Sequence, residues 1–255
     1  MSETTFDFYE SLADYYHLIF EDWDRSIERQ ARVLNSIIAA EVSEGKLKIL
    51  DCACGIGTQV IGFAKAGHDV VASDLCHAAV TRAKREAEQR NITVRFYVSD
   101  MTSLAEIQDT EFDVVAAMDN ALPHLTAEEV KKAAQAMGSK LRLGGLFIAS
   151  IRDYDRLITQ RPTVQEPAFY GDDGARRIVH QVWEWIDDAR YVVHLYITRQ
   201  TGKAWASHHF VSAYRCLLRD ELSNALEGAG FRDVRWIMPE ENGFYQPLVL
   251  ARKTA

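Results

Sequence analysis

Acidic residues follow three successive apolar runs in the first half of the chain, and such runs are typical of buried parallel strands. Asp51 ends the first run and precedes a turn that contains Gly55 and Gly57, while Asp74 and Asp100 end the second and third runs. Because the carboxyl ends of parallel strands meet at one edge of a sheet, the three carboxylates would line one crevice. Carboxylates can accept hydrogen bonds from ribose hydroxyls and from an adenine amino group. The spacing therefore predicts a site for a nucleoside-bearing ligand.

The glycine turn argues against one class of nucleotide cofactor. Gly55 and Gly57 allow a sharp turn and a close approach of the backbone to a ligand. A dinucleotide-binding turn needs a third glycine three positions after the second, but Val60 stands there and Gly62 comes two residues too late. The pattern therefore disfavours a nicotinamide-dependent dehydrogenase.

Two polar clusters follow the next two apolar runs. Asn120 and His124 come after the fourth run, and Arg152 and Tyr154 come after the fifth. An arginine at a strand end is either a structural ion-pair partner or a bidentate hydrogen-bond donor to an anionic group of a substrate. His124 could take or relay a proton, or it could simply pack in the core.

Aromatic residues are concentrated near the amino terminus, and one more lies near the carboxyl terminus. Tyr15, Tyr16 and Trp23 precede the first strand, and Tyr245 stands in the turn between the last two strands. These rings could pack against the sheet as ordinary core residues. They could also cap a bound cofactor, because electron-rich ring faces stabilise a cation.

The elements that would position these residues alternate between strand and helix, which predicts an α/β fold with a seven-stranded Rossmann-like sheet. Helices are expected before the first strand, at residues 6–19 and 26–42. A three-stranded antiparallel lid (177–186, 191–199 and 205–216) is expected after the fifth strand, behind a loop that contains Pro162 and Pro167. The predicted units are an N-terminal helical cap (1–45), a cofactor-binding domain (46–158 and 217–255) and an inserted lid or substrate subdomain (159–216).

The composition of the chain limits which partners, cellular location and metal or disulfide chemistry we expect. The chain has 255 residues, 47% of them hydrophobic, and a net charge of −8, which disfavours a nucleic-acid partner. The amino terminus has neither a basic start nor an apolar run, and no segment reaches the length of a membrane span, so a cytoplasmic protein is expected. Four scattered cysteines predict no disulfide framework. Cys52 and Cys54 lack a second ligand pair, so no metal is expected.

The pattern Asp-x-Ala-x-Gly-x-Gly at residues 51–57 resembles the first motif of the class I methyltransferases that use S-adenosylmethionine (SAM). Within that superfamily, the clusters at 119–125 and 151–155 and the inserted strands are similar to the glycine and glycine/sarcosine N-methyltransferases. The resemblance implies SAM as methyl donor, with S-adenosylhomocysteine as its product, and implies a cofactor site made of Asp51, Ala53, Gly55, Gly57, Asp74, Leu75, Asp100, Met101, Met118, Tyr16 and Trp23.

The same resemblance implies a substrate site. Residues at the positions of Asn120 and Arg152 hold an amino acid in that family, with the arginine binding its carboxylate. We assign the acceptor site to Asn120, His124, Arg152, Tyr154, Tyr15 and Tyr245, and a catalytic role to His124 and Tyr16.

These features predict methyl transfer to the amine of an amino acid or of a related carboxylate-bearing small molecule. The alternatives are another small-molecule acceptor (at oxygen, carbon or a heterocyclic nitrogen), methylation of RNA or protein, and a non-catalytic SAM-binding sensor. The expected partner is a small molecule, with neither nucleic acid nor membrane. Apolar residues on both faces of the inserted sheet favour a lid or a contact in a homo-oligomer.

Overall fold

The computed structural model describes residues 3–254, so the ends of the predicted terminal units, Met1, Ser2 and Ala255, lie outside it. Its helices are α1 (Glu3–Leu12), α2 (Trp23–Glu41), α3 (Thr58–Lys65), α4 (His77–Gln89), α5 (Ala127–Lys140), α6 (Tyr154–Gln160), α7 (Arg219–Gly228) and α8 (Pro239–Asn242). Its strands are β1 (Lys48–Asp51), β2 (Asp69–Asp74), β3 (Arg95–Val98), β4 (Phe112–Ala117), β5 (Leu141–Ser150), β6 (Val164–Tyr170), β7 (Arg177–Trp185), β8 (Arg190–Thr201), β9 (Ala204–Arg215), β10 (Phe231–Ile237) and β11 (Leu248–Lys253).

Seven strands form the main sheet, in the order β3-β2-β1-β4-β5-β11-β10. The first five are parallel, and β11 runs antiparallel to both β5 and β10. Ile49 and Leu50 pair with Val114 and Val115, and all four are fully buried because helices cover both faces of the sheet. The predicted seven-stranded Rossmann-like sheet is confirmed. The strand order reverses between β1 and β4, which is where sheets of this kind form their ligand crevice.

The helix boundaries follow from local capping. Asp22 accepts a hydrogen bond from the Arg25 amide, so α2 begins at Trp23, three residues before the predicted start. Thr126 and Glu129 form a capping box at the start of α5.

The helix predicted over 6–19 is wrong in its second half. Helix α1 ends at Leu12, and a separate 3₁₀ turn follows at Tyr16–Ile19. Arg177 of β7 donates hydrogen bonds to the carbonyls of Leu18, Phe20 and Glu21, which satisfies the backbone that leaves this turn. Tertiary contact therefore overrides the continuous helix that local periodicity indicates.

The insertion after β5 is confirmed as an antiparallel sheet, but it has four strands, in the order β6-β7-β8-β9, instead of three. The predicted loop contains the extra strand. Proline is tolerated there because β6 is an edge strand, and the pairing shifts register between Gln165 and Ala168, around Pro167. Phe169 and Trp205 are 73% and 47% exposed. The predicted lid or oligomer contact stays a prediction.

Helix α1 packs against the inserted sheet. Phe8 and Leu12 belong to one buried cluster with Leu195, Ile197 and Phe210. This packing holds α1 between the two sheets, above the carboxyl ends of β1, β2 and β4. Among residues 3–254, no helix has the length and apolar character that a bilayer crossing requires.

Candidate functional site

A cleft of about 930 Å³, including its mouth, opens at the carboxyl ends of β1 to β4, and we call it the first cleft. Phe6 and Tyr9 of helix α1 cover it, together with Ala13 just after the helix. Eight of the residues predicted to bind the cofactor line it, namely Ala53, Gly55, Asp74, Leu75, Asp100, Met101, Met118 and Tyr16.

The Asp74 carboxylate connects two neighbouring strand ends. Its Oδ2 accepts from the Gly55 amide at 2.9 Å, and its Oδ1 accepts from the Cys76 amide at 2.9 Å. Burial raises the pKa of Asp74, and these backbone hydrogen bonds oppose the rise. The Leu75 amide also hydrogen-bonds Asp74, so about one of the carboxylate's four or so acceptor positions remains for a ligand in the cleft.

Apolar side chains and a second carboxylate form the far wall of the first cleft. Asp100 accepts from the Thr102 amide through Oδ1 at 2.8 Å, and Oδ2 has no partner among the hydrogen bonds of residues 3–254. Leu75, Met101 and Met118 flank it, and Met118 is 1% exposed. The wall can bind a flat apolar ring whose edge carries a hydrogen-bond donor.

Two predicted cofactor residues lie beneath the glycine turn, outside the lining of the first cleft. Asp51 is fully buried; Oδ1 accepts from the Ala53 amide at 3.1 Å, and Oδ2 has no partner within residues 3–254. Burial raises its pKa to about 7. Gly57 starts α3 at a φ of 97°, and a Cβ there would lie 3.4 Å from Ala83 of α4. Both positions support the turn from below.

Trp23 lies outside the lining of both clefts, and its predicted cofactor contact stays a prediction. Its indole Nε1 donates to Thr58 Oγ1 at 3.0 Å, and Arg82 and Arg90 lie over its ring. The ring is 8% exposed and lines neither cleft. Trp23 joins α2 to α3 and α4 because the first turn of α2 points at that helix pair.

A second cleft, of about 1,280 Å³ including its mouth, lies between the main sheet and the inserted sheet. Asn120, Arg152 and Tyr245, three of the predicted substrate residues, line it. It shares Tyr9, Tyr16 and Asp119 with the first cleft, so the two clefts meet at these side chains.

Arg152 is held by aromatic residues in the wall of the second cleft. Its Nη1 donates to the Tyr191 hydroxyl at 2.7 Å, and its guanidinium lies 4.8 Å from the Trp183 ring centre and 5.0 Å from that of Tyr214. Within residues 3–254 it has no ion pair with a carboxylate. Arg29 of α2 is a further cation in this wall. An anionic ligand group would complete the charge balance of the site.

A hydrogen-bond chain fixes Arg152 from behind. Tyr154 donates to Asn120 Oδ1 at 3.0 Å and contacts the Tyr191 hydroxyl at 3.1 Å. The Arg152 amide donates to the same Asn120 oxygen at 3.0 Å. Asn120 Nδ2 is buried without a partner in residues 3–254, so it is a donor still to be satisfied. Tyr154 is fully buried and lines neither cleft, so its position corrects the predicted direct contact with substrate.

His124 lines the first cleft, away from the second. Its Nδ1 lies 3.3 Å from the Ala213 carbonyl, so we assign the ring proton to Nδ1. Its Nε2 then accepts from the Tyr9 hydroxyl at 2.9 Å. Burial lowers the pKa of His124 to about 3, so the ring is neutral at physiological pH. This geometry positions Tyr9 and argues against His124 as a base that contacts the substrate directly.

The remaining predicted tyrosines divide between site and core. Tyr16 lines both clefts, and burial raises the pKa of its phenol, so the group is neutral. Tyr15 lines neither cleft, and its ring centre lies 4.3 Å from that of His208 and 5.7 Å from that of Phe210, so its assignment as a substrate residue stays a prediction. Tyr245 is 44% exposed, lines the second cleft and donates to Asp119 Oδ1.

The sequence interpretation missed three residues that matter to the geometry. Asp119 directly precedes Asn120 at a strand end, so its position in the sequence could have identified it. Tyr9 and Tyr214 carry no such signal, because α1 and β9 bring them to the clefts through tertiary packing.

Comparisons with known proteins match this architecture. Residues 49–145 match the family model described as a methyltransferase domain. The chain is also 30% identical over 157 residues to the glycine/sarcosine N-methyltransferase of Parasynechococcus marenigrum (strain WH8102). This match includes 60% of the chain but only 56% of that relative's length.

Two solved structures share the fold over nearly the whole chain. DesVI from Streptomyces venezuelae has a TM-score of 0.78 at 21% identity and covers 95% of this chain and 98% of its own. CalS10, an amino pentose methyltransferase from Micromonospora echinaspora whose structure contains SAM, has a TM-score of 0.73 at 20% identity and covers 90% and 92%. At these identities, the comparison shows that the fold is shared.

Proposed function

We propose that the chain, whose residues 49–145 match the methyltransferase domain model, is a SAM-dependent methyltransferase that methylates the amine of a carboxylate-bearing small molecule, such as an amino acid. The observation that carries the proposal is the meeting of the two clefts. A nucleoside-type cleft and a cleft with an unpaired guanidinium share a wall of Tyr9, Tyr16 and Asp119. Donor and acceptor could therefore meet at that wall.

The first cleft has hydrogen-bond acceptors for the nucleoside part of SAM. Asp74 keeps an acceptor position for a ribose hydroxyl, and Asp100 keeps one carboxylate oxygen for the adenine amino group, in a cleft that Met101 and Met118 also line. SAM also carries a sulfonium charge. Asp51, Asp74 and Asp119 have no ion pair with a basic side chain of residues 3–254, which suits a cationic ligand.

The second cleft supports a carboxylate-bearing acceptor through Arg152. The Tyr191 hydroxyl and the two flanking rings hold the guanidinium in one orientation, so little side-chain entropy is lost when a carboxylate binds. Asn120 Nδ2, a buried donor at the same strand edge, can hydrogen-bond a second acceptor atom.

The bound donor supplies a methyl group already activated by its sulfonium, so the protein has to align the acceptor and exclude water. Tyr9 and Tyr16 close the wall between the clefts, and Tyr9 is held in place by neutral His124. An amine acceptor must be neutral when it attacks. Tyr16 is a neutral phenol at the junction and can accept a hydrogen bond from the N–H of that amine.

One observation favours a second candidate, a larger amine such as an amino sugar. The enclosed part of the second cleft has a volume of about 490 Å³, which lies within the range of sites for drug-sized ligands and exceeds what a small amino acid fills. One structural neighbour is named an amino pentose methyltransferase. In this case Arg152 would bind another anionic group, such as a phosphate.

An acceptor panel tests both candidates. Purified protein is incubated with methyl-labelled SAM and with amino acids, their carboxamides, simple amines and amino sugar nucleotides, and methylated products are identified by mass spectrometry. We expect label on the nitrogen of carboxylate-bearing amines and at least about tenfold less on their carboxamides. Equal labelling of acids and amides would contradict the role of Arg152, and labelling of the sugar nucleotides alone would select the second candidate.

A further inference from the structure

Asp119 stands at the junction of the two clefts in an unusual backbone conformation. Asp119 and Asn120 have φ values of 57° and 67°, so two successive residues other than glycine are left-handed. Residues other than glycine are strained in this conformation and keep it where the surroundings hold them. Here the Asp119 amide donates to Ser150 Oγ at 2.8 Å and the Asn120 amide to the Ser150 carbonyl at 3.1 Å. The turn directs the Asp119 carboxylate into the wall that the clefts share.

Within residues 3–254, the groups that hydrogen-bond this carboxylate are neutral. Gln59 Nε2 donates to Oδ2 at 2.9 Å, and the Tyr245 hydroxyl donates to Oδ1. Gln59 is itself oriented by Gln30, whose Oε1 accepts from the same Nε2 at 2.7 Å. No basic side chain of residues 3–254 forms an ion pair with Asp119.

The charge of Asp119 is therefore present but not neutralised by the protein. Burial raises its pKa to about 6, so the group is mostly ionised at neutral pH. A carboxylate with about four acceptor positions, two of them used by Gln59 and Tyr245, can accept two further hydrogen bonds. A primary ammonium fits because it is cationic and has three donors in a compact group.

We propose that Asp119 binds an alkylammonium group at the junction of the clefts. The inference rests on the proposed function, which brings two such groups to this wall: the α-ammonium of the methyl donor and the amine of the acceptor. Bound to the acceptor, Asp119 would hold the ammonium of the zwitterion while Arg152 holds its carboxylate. The ammonium must then lose one proton, which the Asp119 carboxylate can accept, before the neutral amine attacks the methyl group. Bound to the donor, it would fix the amino acid end of SAM.

The test uses Asp119→Asn, which keeps the side-chain shape and removes the charge, and Asp188→Asn as a control, which makes the same change at an exposed acid outside both clefts. Because burial raises the pKa of Asp119, the neutral asparagine should not lower the melting temperature of the ligand-free protein. Calorimetry measures binding of S-adenosylhomocysteine and of 5′-methylthioadenosine, which lacks the amino acid end. The acceptor arm measures kcat/KM with the amino acid and amine panel.

If Asp119 binds the donor, Asp119→Asn should lower the affinity for S-adenosylhomocysteine at least about tenfold and leave the affinity for 5′-methylthioadenosine unchanged. If it binds the acceptor, affinity for S-adenosylhomocysteine should stay the same and kcat/KM should fall at least about tenfold. Asp188→Asn should leave each property unchanged. The proposal would be overturned if Asp119→Asn leaves the affinity for S-adenosylhomocysteine unchanged and also leaves the turnover of the acceptor panel unchanged. The same affinity with no measurable turnover of the panel by the wild type would overturn it too. A wild-type protein that binds neither SAM nor S-adenosylhomocysteine would instead refute the proposed function.

Discussion

Removal of the Arg152 guanidinium should separate acceptor recognition from donor binding. Arg152 lies in the second cleft, where it bonds Tyr191 at 2.7 Å and faces no carboxylate of residues 3–254. Loss of one partner from a buried charged pair costs about 2–5 kcal/mol, and the open mouth of this cleft places the effect near the lower end. A loss of about 2–3 kcal/mol corresponds to a fall in acceptor kcat/KM of about 30-fold to 150-fold.

The assay compares Arg152→Ala and Arg152→Lys with Arg161→Ala. Arg161 is a matched control because it also lies 5.0 Å from a tryptophan ring, that of Trp185, but pairs with exposed Asp188 outside both clefts. Calorimetry measures SAM affinity, and initial rates measure acceptor kcat/KM. Lysine keeps the charge without the planar fork, so Arg152→Lys should retain part of the activity.

Protein stability needs its own control, since Arg152 also stacks on Trp183 and Tyr214. Loss of these contacts should cost about 0.5–2 kcal/mol and lower the melting temperature by only a few degrees. The reasoning is refuted if Arg152→Ala leaves acceptor kcat/KM unchanged. It is also refuted if Arg152→Ala lowers SAM affinity by the same factor as acceptor kcat/KM, while Arg161→Ala changes neither quantity.

Three further predictions concern other parts of the molecule. Asp74→Ala should weaken SAM about 10-fold to 100-fold in calorimetry, because it removes a charged acceptor and frees the Gly55 amide; equal affinity would contradict the ribose assignment. Asp51→Asn should flatten the pH dependence of the melting temperature of the ligand-free protein. The pKa of Asp51 in the folded protein, about 7, exceeds the ordinary value near 4, so the wild type should lose up to about 4 kcal/mol of stability as the pH rises from 4 to 7, and an equally steep variant would count against this burial effect. If the inserted sheet joins copies of the chain, Trp205→Glu should shift the mass in light scattering toward the monomer, whereas an unchanged oligomer would place the contact elsewhere.

The main sheet could be predicted from the sequence because its signals are local. Apolar runs buried on both faces, such as that around Leu50, mark parallel strands. The acids at their ends, Asp74 and Asp100, are found by counting from the glycine turn. Both carboxylates line the first cleft because the carboxyl ends of parallel strands share one edge.

The inserted sheet and the amino-terminal helix were harder to predict, since long-range contacts decide them. Pro167 reads as a loop residue, yet an edge strand with shifted register accommodates it. The helical periodicity of residues 6–19 continues past Leu12, but hydrogen bonds from Arg177 favour a separate turn.

The site residues show the same limit. Trp23 and Tyr15 were assigned to the site because of their ring chemistry, but packing turns both away from the clefts. Tyr9 was missed because nothing near it in the sequence indicates that α1 would bring its hydroxyl to His124. Residue type identifies candidates, and only the packing of α1 and β9 on the main sheet selects among them.

The most direct test of the central claim is label transfer from SAM. Purified protein is incubated with methyl-labelled SAM and a small-molecule extract, and new labelled compounds are identified by mass spectrometry. The account predicts protein-dependent formation of S-adenosylhomocysteine and a labelled methyl group on the nitrogen of an amine that also carries an anionic group. SAM binding with no labelled product, or label only on macromolecules, would contradict it.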